Sequence, residues 1–207
     1  MLRHSNSKMA PYDREMEINM NWFAAIKHGL QGIVKNYILA DPRRAVTYYR
    51  RKGVEIGENT ELYNTRIDTL RPFLVSIGNN TLITGTTILT HDASTKKGMG
   101  YTKLGRVTIG DNVFIGINCI ILPNVHIGNN VIVGAGTIVS KDIPNNSVAV
   151  GNPMQIIGSF EDNMRRNELR LQNSPVFEIN YSMTSEEKDN MNKRLENRVG
   201  YLINRDR

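Results

Sequence analysis

"VTIGDNVFIGINCIILPNVHIGNNVIVGAGTIV", Val107 to Val139, repeats itself every six residues. Branched aliphatic residues open successive hexads at Ile109, Ile115, Ile121, Ile127, Val133 and Val139. The fifth places hold Val113, Cys119, Val125, Val131, Thr137 and Ile143, mostly small or β-branched. Read upstream, the rhythm sets further hexads at Ile77, Ile83 and Leu89, with Thr81, Thr87 and Ala93 in their fifth places. Glycine recurs in the second place (Gly78, Gly110, Gly116, Gly128, Gly134) and asparagine in the fourth (Asn80, Asn112, Asn118, Asn124, Asn130). A weaker copy runs through "IGENTE" and "LYNTRI" from Ile56.

A helix wants a period of 3.6 and a strand a period of 2, so a strict period of six needs another geometry. Short β-segments joined by tight corners satisfy it. The aliphatic opener points inward and the fifth residue fills the narrower space beside it. Gly and Asn take left-handed or otherwise special backbone conformations at corners with little steric penalty. One rung cannot bury its inner row alone, but stacked rungs form a continuous apolar column.

The 207 residues provide for one well-buried core. Three segments are visible: a basic helical lead-in over 1–53, the repeat domain over 54–158 with an inserted loop at 95–108, and a helical tail over 159–207. In the lead-in, Trp22, Ile26, Leu30, Ile33 and Tyr37 form one apolar helical stripe. Asp41-Pro42 then supplies an N-cap and first-turn proline for a second helix, which Gly53 can terminate. The tail reads as two helices around Ser174-Pro175, the second capped by Thr184 or Ser185 with Glu187 available for a capping box.

The net charge of +6 comes from the lead-in, where ten Lys/Arg face four Asp/Glu. That excess, with Arg43, Arg44, Arg50, Arg51 and Lys52, suits either a solvated helix face or peripheral contact with an anionic membrane surface or phosphate-bearing substrate. No aromatic-and-basic platform accompanies it, so nucleic acid is not expected as a partner. The single cysteine, Cys119, fits a reducing compartment, and its small inward place makes it a core residue. No apolar signal region or membrane-spanning run is seen, so the expected location is the cytoplasm.

The segment from Val107 to Pro153, ending "VAVGNP", resembles the hexapeptide-repeat acyltransferases, in the branch of maltose, galactoside and capsular-polysaccharide O-acetyltransferases. The resemblance spans about residues 54–158. It implies an all-β core wound as a left-handed parallel β-helix, flanked by N- and C-terminal helical segments. It also implies a homotrimer, acetyl-CoA as co-substrate in the groove between columns, no metal, and a saccharide acceptor.

The histidine matching the family's base is His91, in "ILTHDAS", at the third place of the hexad opened by Leu89. Acyl transfer needs a hydroxyl made more nucleophilic as it attacks, and a neutral imidazole, with an ordinary pKa of about 6.5, suits that work. Asp92 could fix the imidazole tautomer or serve a corner. "TKKGMGYTKLGRVT", Thr95 to Thr108, lacks aliphatic openers and reads as a loop beside the site. Family positions for the CoA arm match Gly116 and Ala135, those near the nucleotide Ser140 and Lys141, and the terminal turn Gly151, Asn152 and Pro153. Asn64 matches an asparagine that contacts the acceptor sugar from the neighbouring subunit in sugar-modifying relatives, or else turns a corner. A zinc site of the carbonic-anhydrase type is not expected, because the third histidine is missing. An amino-sugar or antibiotic acetyltransferase and a non-catalytic repeat scaffold remain as alternative readings.

Overall fold

The computed structural model describes residues 38–203. The apolar stripe from Trp22 to Tyr37 lies outside the described residues. Between Glu55 and Val150 the chain winds through three parallel walls in turn. The first wall stacks Glu55–Ile56, Val75–Ile77, Val107–Ile109 and His126–Ile127. The second stacks Glu61–Tyr63, Leu82–Thr84, Val113–Ile115, Val131–Val133 and Ser147–Val150. The third stacks Arg66–Ile67, Thr87–Ile88, Ile120–Ile121 and Ile138–Val139. An antiparallel strand, Gln155–Gly158, finishes the second wall. The architecture is a three-walled parallel β-helix.

In-register aliphatic columns fill its inside: Ile77, Ile109 and Ile127 on the first wall, Ile83, Ile115 and Val133 on the second, Ile88, Ile121 and Val139 on the third. All are buried. Each contributes about 1.5–3 kcal/mol on leaving water, which lets strands of two or three residues persist. Cys119 is 1% exposed and its thiol donates to the Gly134 carbonyl. Buried threonines in the narrower places satisfy their hydroxyls on backbone carbonyls of the next coil, Thr81 on Gly110 and Thr86 on Gly116, both at 3.1 Å.

One hexad departs from the sequence reading. Ile88, not Leu89, joins the inner row, in register with Ile121, and Thr86, not Thr87, is the buried residue before it. The corner after Ile83, turned by Gly85 at φ +51°, matches that after Leu62 one coil earlier and is one residue shorter than those of the two following coils. Leu89 is half-buried and Ala93 exposed, and His91 sits three residues beyond its true opener. Two adjacent aliphatic residues, Ile88 and Leu89, made either register legible.

The corner asparagines do turn left-handed, with φ of 51° at Asn80, 56° at Asn112, 61° at Asn118, 65° at Asn124 and 55° at Asn130. The second-place glycines serve a different need than the expected backbone freedom. A Cβ on Gly110 would meet Asn129 Oδ1 at 2.2 Å, and one on Gly78 would meet Asp111 Oδ1 at 2.3 Å. Those oxygens form a ladder, each accepting the backbone N–H of the residue one coil away: Asn79 from Glu58, Asp111 from Asn79, Asn129 from Asp111, Asn145 from Asn129.

Both ends of the column carry helices. Helix α1, Pro42–Arg51, starts at Asp41, whose carboxylate accepts from the Arg43 and Arg44 N–H groups at 3.0 Å. Gly53 follows its end at φ +97°. The helix buries Ala45, Val46 and Tyr49 against the first coil. The insert carries α2, Lys96–Met99. Helix α3, Phe160–Leu171, begins on the last corner asparagine: Asn146 accepts from Phe160 N–H through its carbonyl and from Glu161 N–H through its side chain. Helix α4, Ser185–Leu195, has the capping box of Thr184 and Glu187. The tail also pairs two short strands, Val176–Glu178 and Tyr201–Ile203, in parallel.

Candidate active site

His91 opens a strand of two residues, His91–Asp92, that turns away from the column and pairs antiparallel with Lys103–Leu104. Asp111 and Asn129, equivalent corner residues one coil apart, differ by 18 positions, whereas Asn79 and Asp111, on either side of this insert, differ by 32. The insert therefore leaves the column at its third-to-first corner and returns when the Gly105 N–H donates to the Thr90 carbonyl at 2.9 Å. The Thr95 hydroxyl donates to the Tyr101 carbonyl at 2.8 Å and holds the excursion closed.

The His91 ring is one-third exposed and its Nδ1 is bonded to the Asp68 carboxylate. Asp68 stands at the same corner one coil earlier, just past Ile67, with its side chain 7% exposed. Burial alone would raise its pKa. Hydrogen bonds from the Thr90 hydroxyl (2.7 Å), the Leu70 N–H (2.9 Å), His91 and the Thr90 N–H outweigh that and hold it at about 2. An ionised Asp68 accepts, so in the neutral imidazole Nδ1 carries the ring proton and Nε2 keeps its lone pair. Sequence reading missed Asp68. Its trace was faint: a lone carboxylate directly after the aligned Ile67, in the coil preceding the histidine.

Asp92 is placed otherwise. Its carboxylate accepts from the Ser94 N–H at 2.8 Å, the Ser94 hydroxyl at 3.0 Å and Lys103 Nζ at 3.1 Å. The two Ser94 bonds and the lysine hold its pKa at about 2. It orders the start of the insert. Of the insert's other cations, Arg106 lies 3.8 Å from Glu55, while Lys96 and Lys97 are exposed.

The remaining sequence-selected residues fall at two corners. Gly116, Ala135 and Gly151 come together where the second wall meets the third: the Gly151 N–H donates to the Thr137 hydroxyl, and a Cβ on Gly116 would meet the Ala135 nitrogen at 2.7 Å. Gly116 is thus required by coil stacking. Ala135, Gly151, Asn152 and Pro153 are exposed. Ser140 and Lys141 are exposed at the third-to-first corner, the one that carries His91 further along the axis. The outer face of the third wall, with Ile120 and Ile138, separates the two groups. Asn64 turns the second-to-third corner at φ +48° and its N–H donates to the Leu39 carbonyl. It stands across the third wall from His91. His126 bonds Thr108 through Nδ1 on the first wall, away from the dyad.

The family described as bacterial transferase hexapeptide (six repeats) matches residues 106–141. The protein CapG of Staphylococcus aureus is 44% identical over 54% of this chain and 69% of its own length. YvoF of Bacillus subtilis, provisionally named an acetyltransferase, is 35% identical over 65% of this chain and 81% of its own. The galactoside O-acetyltransferase of Escherichia coli is 38% identical over 53% of this chain and 56% of its own. Among solved structures, a hexapeptide-repeat acetyltransferase of Vibrio cholerae complexed with acetyl coenzyme A is 29% identical, with a TM-score of 0.47 over 53% of this chain and 61% of that one.

Proposed function

The chain belongs to the bacterial hexapeptide-repeat transferases, and from that premise we propose that it is an acetyl-CoA-dependent O-acetyltransferase acting on a saccharide hydroxyl. The observation that carries the mechanism is the Asp68–His91 pair on a rigid corner beside an inserted hairpin. His91 Nε2 accepts the proton of the acceptor hydroxyl as its oxygen attacks the thioester carbonyl. A C–O bond forms, the C–S bond breaks, and the imidazolium returns the proton to the departing thiolate. Asp68 holds the ring in the required tautomer and stabilises its charged form.

Ala135, Ser140, Lys141 and the exposed turn Gly151–Pro153 are assigned to the co-substrate, with the pantetheine arm following the small residues and Lys141 a phosphate. Left-handed winding of the walls, a homotrimer with the donor between columns, and a cytoplasmic location belong to the same reading. The name of the galactoside O-acetyltransferase supports a sugar as acceptor, and the resemblance to capsular-polysaccharide enzymes extends that to a surface glycan or its precursor.

The test is thioester consumption by the purified chain against a panel of sugars, with His91→Ala as control. Sugar-dependent release of CoA that disappears in the variant is expected. No release with any saccharide, or equal release by the variant, would discard this function.

A further inference from the structure

The end of the column covered by α1 bears a surface that acetyl transfer does not use. The turn from the first coil to the second, residues 68–74, leaves Leu70 57% and Phe73 63% exposed. Arg71 stands between them, its guanidinium donating to the Leu70 carbonyl at 2.9 Å. A Cβ on Gly53 would lie 4.0 Å from Phe73 Cβ, so Phe73 abuts the basic end of α1, where Arg51 and Lys52 are exposed. Lys52 lies 5.8 Å over the Tyr48 ring.

Of the acids of this end, Asp41 pairs with Arg44, Glu58 with Arg50 and Glu55 with Arg106, while Glu61 bonds Tyr63 and forms no ion pair among the described residues. Arg50 also donates to the Ile56 and Gly57 carbonyls, so it staples α1 to the first coil. Arg51, Lys52 and Arg71 form no ion pair among the described residues. Two large apolar side chains are therefore flanked by uncompensated cations. An anionic bilayer interface takes both, the apolar groups among acyl chains and the cations at headgroups. The patch also begins two residues after Asp68, whose carboxylate accepts the Leu70 N–H.

We propose that this rim, Arg51, Lys52, Leu70, Arg71 and Phe73, docks on an anionic lipid bilayer and sets His91 at the membrane surface. Taken with the acetyltransferase reading, on which this consequence rests, the acceptor is then a saccharide carried on a lipid. The docking itself does not depend on activity.

Vesicle sedimentation of the full chain tests it, comparing phosphatidylcholine alone with vesicles about one-third phosphatidylglycerol. Binding to the anionic vesicles only, weakened by salt, is expected. A triple variant, Arg51→Ser, Lys52→Ser and Phe73→Ser, should partition at least about twenty-five-fold less, since each of the two cations near the surface is worth about a fivefold gain and the loss of Phe73 adds to it. Its oligomeric mass by light scattering should match the parent. Three results overturn the proposal: no preference for anionic vesicles, equal binding by the variant (which moves the contact to residues 1–37), or a changed mass, which makes the rim a contact between copies. Vesicle binding without acetyl transfer to any sugar would sustain the docking while removing the proposed function.

Discussion

The carboxylate that holds the His91 imidazole belongs to Asp68, 23 residues earlier in the chain, and not to the adjacent Asp92. Neighbours along a strand point to opposite faces, whereas stacked coils bring side chains of one corner together. Asp68→Asn should therefore lower kcat by about a hundredfold or more, since an amide no longer fixes the Nδ1–H tautomer. Asp92→Asn should change kcat by less than about threefold, as an exposed loop bond contributes little. Steady-state kinetics of both variants decide the matter, and the reverse ranking would transfer the orienting role to Asp92.

His91→Ala removes the proposed base while leaving the inner columns untouched, because the ring lies outside the column. Turnover should fall by about two to four orders of magnitude. Acetyl-CoA affinity, read by calorimetry, should stay within a few-fold, since none of the residues assigned to the co-substrate contacts the ring. A variant that lost affinity and kept turnover would make His91 a binding residue.

Acid should act on stability through Asp68. Its pKa is lowered from 3.8 to about 2 in the folded state, so its contribution is complete above the ordinary carboxylate range and is lost as pH falls toward 2. The shift corresponds to on the order of 2 kcal/mol. Urea midpoints of the parent and Asp68→Asn should differ near neutrality and converge only as the pH falls to about 2. A gap that stays constant with pH would mean that the carboxylate's charge is not what stabilises the fold.

The fold was legible because the repeat writes its inner row at a fixed period, and an aliphatic residue means the same thing in every coil. The site was half legible. His91 stands out as a titratable residue where the rhythm breaks, but its partner is defined by stacking, which a linear reading sees only when the register is right. Here it slipped by one at Ile88 and Leu89. Asn64, by contrast, had a corner role available from its place in the hexad, and it turns that corner at φ +48°.

Stacking distance also decides what Gly116 does. Any side chain there meets Ala135 backbone atoms at 2.7 and 2.9 Å, which cannot swing aside. Gly116→Ala should cost about 1–3 kcal/mol and lower the melting temperature by several degrees. Gly98→Ala is the control, for a Cβ on Gly98 in the insert meets nothing within 4 Å. Equal melting of the two variants would return Gly116 to a purely ligand-facing role.

At the opposite end of the column a buried hydroxyl joins Arg50 in tying α1 to the first coil. Tyr49 is 0% exposed, and its phenol donates to the Thr65 carbonyl at 3.1 Å while accepting the Ile67 N–H at 3.0 Å. Burial pushes the phenol's pKa up, so it remains protonated and able to donate through the working range. Tyr49→Phe keeps the packing and strands both backbone groups, at about 1–3 kcal/mol for each left unsatisfied. Loss on that scale in urea unfolding should come with faster amide exchange at Ile67, because the freed N–H belongs to the terminal coil. If Ile67 kept its protection while global stability fell, the hydroxyl would be supporting α1 and not the coil. Asp68 directly follows Ile67, so loosening there should also reach the His91 ring and appear as reduced kcat with the substrate KM little changed.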